Sequence, residues 1–217
     1  MKWLKRMFIR MEVIEAIKTR RSIRKYKSTP VDDKTIGLVL EAARWAPSWK
    51  NSQCWRFIVV RDSKIKNKLA DTLIAVSADR PNRAAEAIRQ APVAIVACAE
   101  LGKSGYYARE PRQPVTDKGD WYMFDVALAM QNLVLAAHSL GLGTVYIGAF
   151  DAKKVASILG VPAGFCVVSM TPLGYPDEEP PVSPRKEFSE IVFYDKFGRR
   201  ESGSIHKLSK PNEEIIY

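Results

Sequence analysis

The sequence predicts an α+β fold in which a buried sheet lies between layers of helices, and three observations carry that expectation. Three short apolar runs, Phe57–Val60, Pro92–Ala99 and Phe165–Met170, have the length of strands. The second is apolar at consecutive positions, as a central strand covered on both faces requires. Residues 121–140 are apolar on nearly every side, which predicts a helix buried all round, in a core or between subunits.

Each element follows in order. Trp3, Leu4, Met7, Phe8 and Met11 recur at helical spacing opposite Lys2, Lys5, Arg6 and Arg10. Residues 1–11 are therefore a short basic amphipathic extension, expected to pack on its own protein or to be a frayed leader before a second start at Met11, rather than to lie on an anionic membrane surface. Glu12–Thr19 continues as a helix with Val13, Ile14 and Ile17 inward, and it delivers Arg20-Arg21-Ser22-Ile23-Arg24-Lys25-Tyr26 at its C-terminal end. After Pro30, Asp32 or Asp33 caps a helix with Ile36, Val39, Leu40 and Ala43 on one face, and Pro47 stops it. A polar loop then feeds the first strand. Residues 62–78 predict a helix burying Leu69, Leu73 and Val76, and Ala84–Gln90 a shorter one. Residues 101–119 turn to Gly, Pro, Tyr and charge, a long irregular segment read either as a lid over a pocket or as a solvated surface excursion. Asp120 caps the apolar helix and Gly141 ends it; Asp125, Gln131 and Asn132 interrupt it and each needs a partner. His138 is read as structural. Gly141–Phe150 is a turn and short strand ending at Gly148, Asp151 caps a helix to Leu159, and residues 196–217 form an extended polar tail.

At 217 residues the chain supports one sizeable core, and 47% hydrophobic with 27% charged residues is ordinary globular composition. No apolar run approaches the roughly 18 residues that cross a bilayer, and the N-terminus lacks the apolar region of a secretory signal, so a cytoplasmic protein is expected. Cys54, Cys98 and Cys166 are far apart with no CxxC pair, which argues against a disulfide framework and against structural zinc. With only His138 and His206 as imidazoles, a His-based metal centre or triad has little to be built from. The chemistry is expected to belong to a bound cofactor. Of the net charge of +10, Lys2, Lys5, Arg6 and Arg10 supply four, leaving +6 on residues 11–217, scattered among acids and without a DNA or RNA motif. No nucleic-acid partner is expected.

Two stretches concentrate binding chemistry. Guanidinium groups present a planar donor fork that matches phosphate, so the arginines at 20, 21 and 24 with Ser22 form a candidate anion site, although basic residues in a last helical turn also complement the helix dipole. Ser48, Asn51, Ser52 and Gln53 in the loop 46–56 offer donors and acceptors in one plane, as the edge of a heterocyclic amide needs. Tyr106, Tyr107 and Arg109 are candidates for contacting substrate or nicotinamide. Gly148 lacks a side chain where backbone would approach a flat ring.

The run RRSIRKY at 20–26, followed by APSWKNSQCWRFIVV at 46–60, resembles the two N-terminal motifs of the FMN-dependent nitroreductase family, whose members usually carry proline where this chain has Cys54. Gly141–Phe150 is similar to the family's third motif, and TPLGYP at 171–176 with Pro184-Arg185-Lys186 and Ile191–Tyr194 to its closing segment, so the likeness spans 12–195. It implies a three-layer sandwich, its central, mostly antiparallel sheet flanked by helices, in an intertwined homodimer. It also implies non-covalent FMN, with Arg20 and Ser22 near the phosphate, Arg21 close by, Arg185 as a further basic contact and Arg24 at the pyrimidine end. Pro47, Ser48 and Asn51 would reach the flavin from the partner chain, and Gly148 would lie against the ring. The implied activity passes hydride from NAD(P)H through the flavin to nitroaromatic, quinone or similar electron-poor small molecules in a ping-pong cycle. A specialised relative, such as a reductive dehalogenase or flavin-fragmenting enzyme, and a non-enzymatic basic binding protein are the alternatives.

Overall fold

A computed structural model describes residues 11–75 and 81–200 of the chain. Residues 1–10 of the expected N-terminal helix, Val76, and the tail beyond residue 200 lie outside the described residues. Two compact units divide the chain, Met1–Pro180 and Pro181–Tyr217.

The first unit is built on four strands, β1 (Trp55–Val60), β2 (Val93–Glu100), β3 (Gly143–Thr144) and β4 (Phe165–Gly174), hydrogen-bonded in the order β1-β2-β4-β3 with every pairing antiparallel. Successive side chains of a strand point to opposite faces, and β2 uses both. Val93, Ile95, Ala97 and Ala99 enter a core shared with α2 (Asp33–Arg44) and α5 (Tyr122–Ser139). Ala94, Val96 and Cys98 enter a second core with α3 (Ser63–Ala70), α4 (Arg83–Gln90) and α6 (Ala152–Leu159). The expected three layers follow, and the continuous apolar run of β2 is their direct consequence. Full burial of Ile95 alone contributes on the order of 1.5–3 kcal/mol.

Local chemistry sets the helix starts. The side chains of Asp32, Asp62, Asn82 and Asp151 each accept from backbone N–H groups in the first turn of α2, α3, α4 and α6, and Gly160 closes α6 in the left-handed conformation at φ 65°. Asp120 accepts from the N–H of Tyr122 at 3.2 Å, so its carboxylate serves α5 although the helix begins one residue later than its expected start.

Four expectations are corrected. In α1 (Val13–Thr19) the inward residue is Ala16; Val13, Ile14 and Ile17 are exposed on this chain, because the small face of the helix is the one turned to the core. α5 likewise leaves Met123 and Phe124 exposed, Phe124 at 65%, so within one chain it is not covered on every side. The helix expected to run to residue 78 ends at Ala70, since Leu73 pairs instead with Phe150 and Ile74 donates to the carbonyl of Ala149. β4 runs four residues past Met170 and takes in Pro172, which lacks an N–H; β3 spans only two residues beside it and leaves that position without a ladder to break.

In the second unit α7 (Phe188–Ile191) is held by a reciprocal capping box of Glu187 and Glu190, and the rings of Phe193 and Phe197 meet at 4.6 Å. Among the described residues no helix is long and apolar enough to cross a membrane, and no group of three or more His, Cys, Asp or Glu could hold a metal ion.

Candidate functional site

The arginine motif is bound to the fold along its whole length. The N–H of Ile23 donates to the carbonyl of Thr144 at 2.9 Å and Ser22 bridges Thr144 in parallel. Tyr26 bridges Pro176, and its hydroxyl donates to the carbonyl of Ile23 at 2.6 Å. Burial raises the Tyr26 phenol well above its ordinary range, with Glu178 adding to the shift, so the hydroxyl keeps its proton for that bond. Two glycines make the approach possible. A Cβ on Gly143 would stand 2.8 Å from the Ile23 side chain, and one on Gly174 2.6 Å from Pro92 and 3.1 Å from the Tyr26 ring. The first motif, the third motif and the TPLGYP run at 171–176 thus meet in one cluster.

Within it the arginines differ. Arg21 donates to the carbonyls of Lys18 and Arg20 at 2.7 and 2.8 Å, completing the end of α1. Arg24 is held by its backbone N–H, which donates to Glu178 Oε1 at 2.5 Å, while its guanidinium is 3.4 Å from the carbonyl of Ser22. Arg20 carries a buried Nη1 without any partner. A buried guanidinium nitrogen with no acceptor is unfavourable by itself and complete once an anion is bound. Gly148 is exposed, and a Cβ there would meet nothing within 4 Å, so open space stands in front of it. These features fit a phosphate-bearing flat ring.

Beside Arg20, His138 Nε2 lies 2.8 Å from Thr19 Oγ1. The Thr19 hydroxyl already donates to the carbonyl of Glu15, so Nε2 carries the proton and His138 ties α5 to α1. Burial, then Arg20 and Arg21, hold it below the ordinary imidazole value. Its placement fits the structural role.

The polar loop is organised by Asp125, which is fully buried in α5. Its carboxylate accepts from the N–H of Trp49 at 3.2 Å, from Ser52 Oγ at 3.0 Å and from the Cys54 thiol at 3.8 Å. Burial and the neighbouring Asp125 push that thiol up to about 12, so it stays protonated and donates. Around this anchor Lys50, Asn51 and Gln53 take φ values of 44°, 56° and 45°, a left-handed run that the Ser48 hydroxyl closes by accepting from the N–H of Gln53. A proline at position 54 would push residue 53 toward extended backbone; Cys54 leaves Gln53 free to turn. Pro47 and Asn51 are exposed on the loop surface. Gln131 and Asn132 also find the partners they need, in Tyr146 and the carbonyl of Ala42.

Tyr106 and Tyr107 line a cavity of about 310 Å³ together with Trp49, Lys50 and Ser52 from that loop. Arg109 does not line it and instead stacks over the Tyr107 ring at 5.2 Å. Arg185, in the second unit, donates to the carbonyls of Ser183 and Pro184. Among the described residues, no hydrogen bond or ion pair links the arginine cluster to the polar loop. Sequence reasoning missed Glu178, the anchor of Arg24, which stood unmarked among acids, and the loop-holding role of Asp125, whose only signal was a carboxylate in an apolar helix.

A family model described as Nitroreductase family matches residues 17–175. The chain is 31% identical over 176 residues to the 5,6-dimethylbenzimidazole synthase of Rhodospirillum rubrum, with 75% of this chain and 81% of that protein covered. It is similar to the crystal structure of a nitroreductase family protein from Clostridium novyi NT, at 34% identity and TM-score 0.67 over 87% of this chain and 96% of that one. It is also similar to the NADPH:FMN oxidoreductase of Vibrio harveyi complexed with NAD+, at 28% identity and TM-score 0.70, covering 87% and 79% of the two chains.

Proposed function

Because the chain belongs to the nitroreductase family and shares its fold, we propose that it is an FMN-dependent, NAD(P)H-oxidising reductase of electron-poor acceptors that works as a homodimer. The observation that carries this reading is the buried, unpartnered Nη1 of Arg20 inside the motif that Thr144 and Pro176 hold in place. Arg20 and Ser22 would hold the phosphate, with Arg21 and Arg185 contributing positive charge. Gly148 would leave room for the ring, and Pro47, Ser48 and Asn51 of the partner subunit would close over it. When bound, FMN would supply the redox chemistry for hydride transfer from NAD(P)H to a nitroaromatic, quinone or similar acceptor in a ping-pong cycle. Arg24 provides a fixed cation at the pyrimidine edge, where the reduced ring carries negative charge. Tyr106 and Tyr107 would form the substrate side, with Arg109 acting only through its stacking on Tyr107. No side chain of the chain has to serve as nucleophile, and the buried Cys54 thiol is engaged in the fold by its bond to Asp125.

The test is direct. The purified protein is expected to be yellow, with about one FMN per subunit, and to bleach anaerobically on addition of NADH or NADPH. A colourless protein that also fails to take up added FMN would sink the proposal. The family also contains a synthase, so the acceptor has to be read from this chain's own pocket.

A further inference from the structure

The cavity beside the polar loop has a charge pattern that the oxidoreductase reading does not use. Of its charged lining residues, Lys50, Lys103 and Arg112 are cations and Glu110 is the single carboxylate. Glu110 is engaged with Arg112, its Oε1 accepting from Nε at 3.2 Å and its Oε2 from the backbone N–H. Lys103 meets Glu100 at 2.9 Å, but Glu100 also holds Arg56 at 3.1 Å, so that carboxylate is divided between two cations. Lys50 has no carboxylate partner among the described residues; its ammonium stands 5.5 Å from the centroid of the Trp49 ring. Its left-handed φ of 44° is part of the loop geometry that Asp125 fixes, so the cation is presented by a rigid turn. The aromatic residues Trp49, Tyr106 and Tyr107 complete the lining.

We propose that this cavity is an acceptor subsite for small aromatic compounds carrying an anionic substituent such as a carboxylate or sulfonate, with Lys50 as the residue that selects for the charge. The ring would pack on the aromatic wall while the anion meets Lys50 and Arg112. Size favours a single ring over a dinucleotide: about 310 Å³ lies at the lower end of the roughly 300–1,000 Å³ of small-molecule pockets. Position favours an acceptor, because Trp49, Lys50 and Ser52 share their loop with Ser48 and Asn51, which the oxidoreductase reading, on which this proposal rests, places at the flavin.

Titration calorimetry on the purified protein as isolated, with 4-nitrobenzoate and its neutral counterpart 4-nitrobenzyl alcohol, tests it without requiring turnover. The anion is expected to bind about five- to tenfold more tightly, a preference that raised salt weakens. Lys50→Glu should abolish the preference and Arg112→Gln should reduce it; both positions are exposed, so the variants are expected to fold. Equal affinity of the wild type for the two compounds, or an undiminished preference in Lys50→Glu, overturns the proposal. Equal binding of the two compounds with selection only of NADPH over NADH overturns it too, since the cations would then serve the donor's phosphate. Reduction of the neutral alcohol, followed in parallel, reports on the oxidoreductase reading alone.

Discussion

Arg24 is held from two sides, its backbone by Glu178 at 2.5 Å and its guanidinium near the carbonyl of Ser22. Glu178 also meets Arg83 at 3.2 Å, so the carboxylate that sets the Arg24 backbone is itself fixed. A cation positioned in this way stabilises an anionic reduced ring more than a neutral oxidised one. Arg24→Ala is therefore expected to weaken FMN binding and to lower the two-electron midpoint potential by roughly 20–40 mV, the equivalent of about 1–2 kcal/mol. Spectroelectrochemical titration of the folded variant checks the sign, and an unchanged or raised potential would remove Arg24 from the role. At this scale the sequence was informative where a residue violated its surroundings. Asp125 in an apolar helix announced a buried partner, and His138 a structural bond. Glu178 gave no such signal, because its partner is a backbone N–H 154 residues away and any acid of Asp177-Glu178-Glu179 could have met it.

Elements were legible where one physical rule acts locally and obscure where the partner is distant. The two-faced burial of β2 follows from its composition, and Asp32 and Asp151 cap because each sits three residues before a free N–H. The early end of α3 could not be read, because nothing in residues 71–75 breaks a helix; its pairing with Phe150 is non-local. The polar loop belongs to both classes. Its hydrogen-bonding composition is legible in the sequence and suggests a ligand loop, while its left-handed residues depend on the Asp125 carboxylate reaching across from α5. Asp125→Ala would leave the Trp49 N–H and the Ser52 hydroxyl without their buried acceptor, and should destabilise the protein by roughly 2–4 kcal/mol. Urea unfolding measures this as a lowered midpoint at unchanged slope. A loss under about 0.5 kcal/mol, which is the range of an ordinary surface substitution, would show that the loop holds itself.

At the scale of the molecule, exposed apolar side chains and a divided site point the same way. Val13, Ile14 and Ile17 of α1 and Met123 and Phe124 of α5 are open on the single chain, and α1 and α5 pack against each other, so two neighbouring helices both present apolar residues to solvent. Exposed apolar side chains on both helices are what a subunit contact would cover. The arginine cluster and the Ser48–Asn51 loop, which the proposed function assigns to the same flavin, share no hydrogen bond or ion pair within the described residues of one chain. The proposed homodimer would answer both observations, because a two-fold contact would cover each exposed face with its own copy and bring the loop of one chain to the arginines of the other. Complementation between dead variants tests it. A chain with Arg20→Ala and Arg24→Ala and a chain with Ser48→Ala and Asn51→Ala should each bind little FMN. Refolded together in equal amounts, they should form heterodimers with one intact site each and, by random pairing, regain roughly a quarter of the wild-type stoichiometry. Native mass spectrometry counts the heterodimers and the flavin on them. Heterodimers that form but carry no more FMN than either parent would mean that each site is built within a single chain.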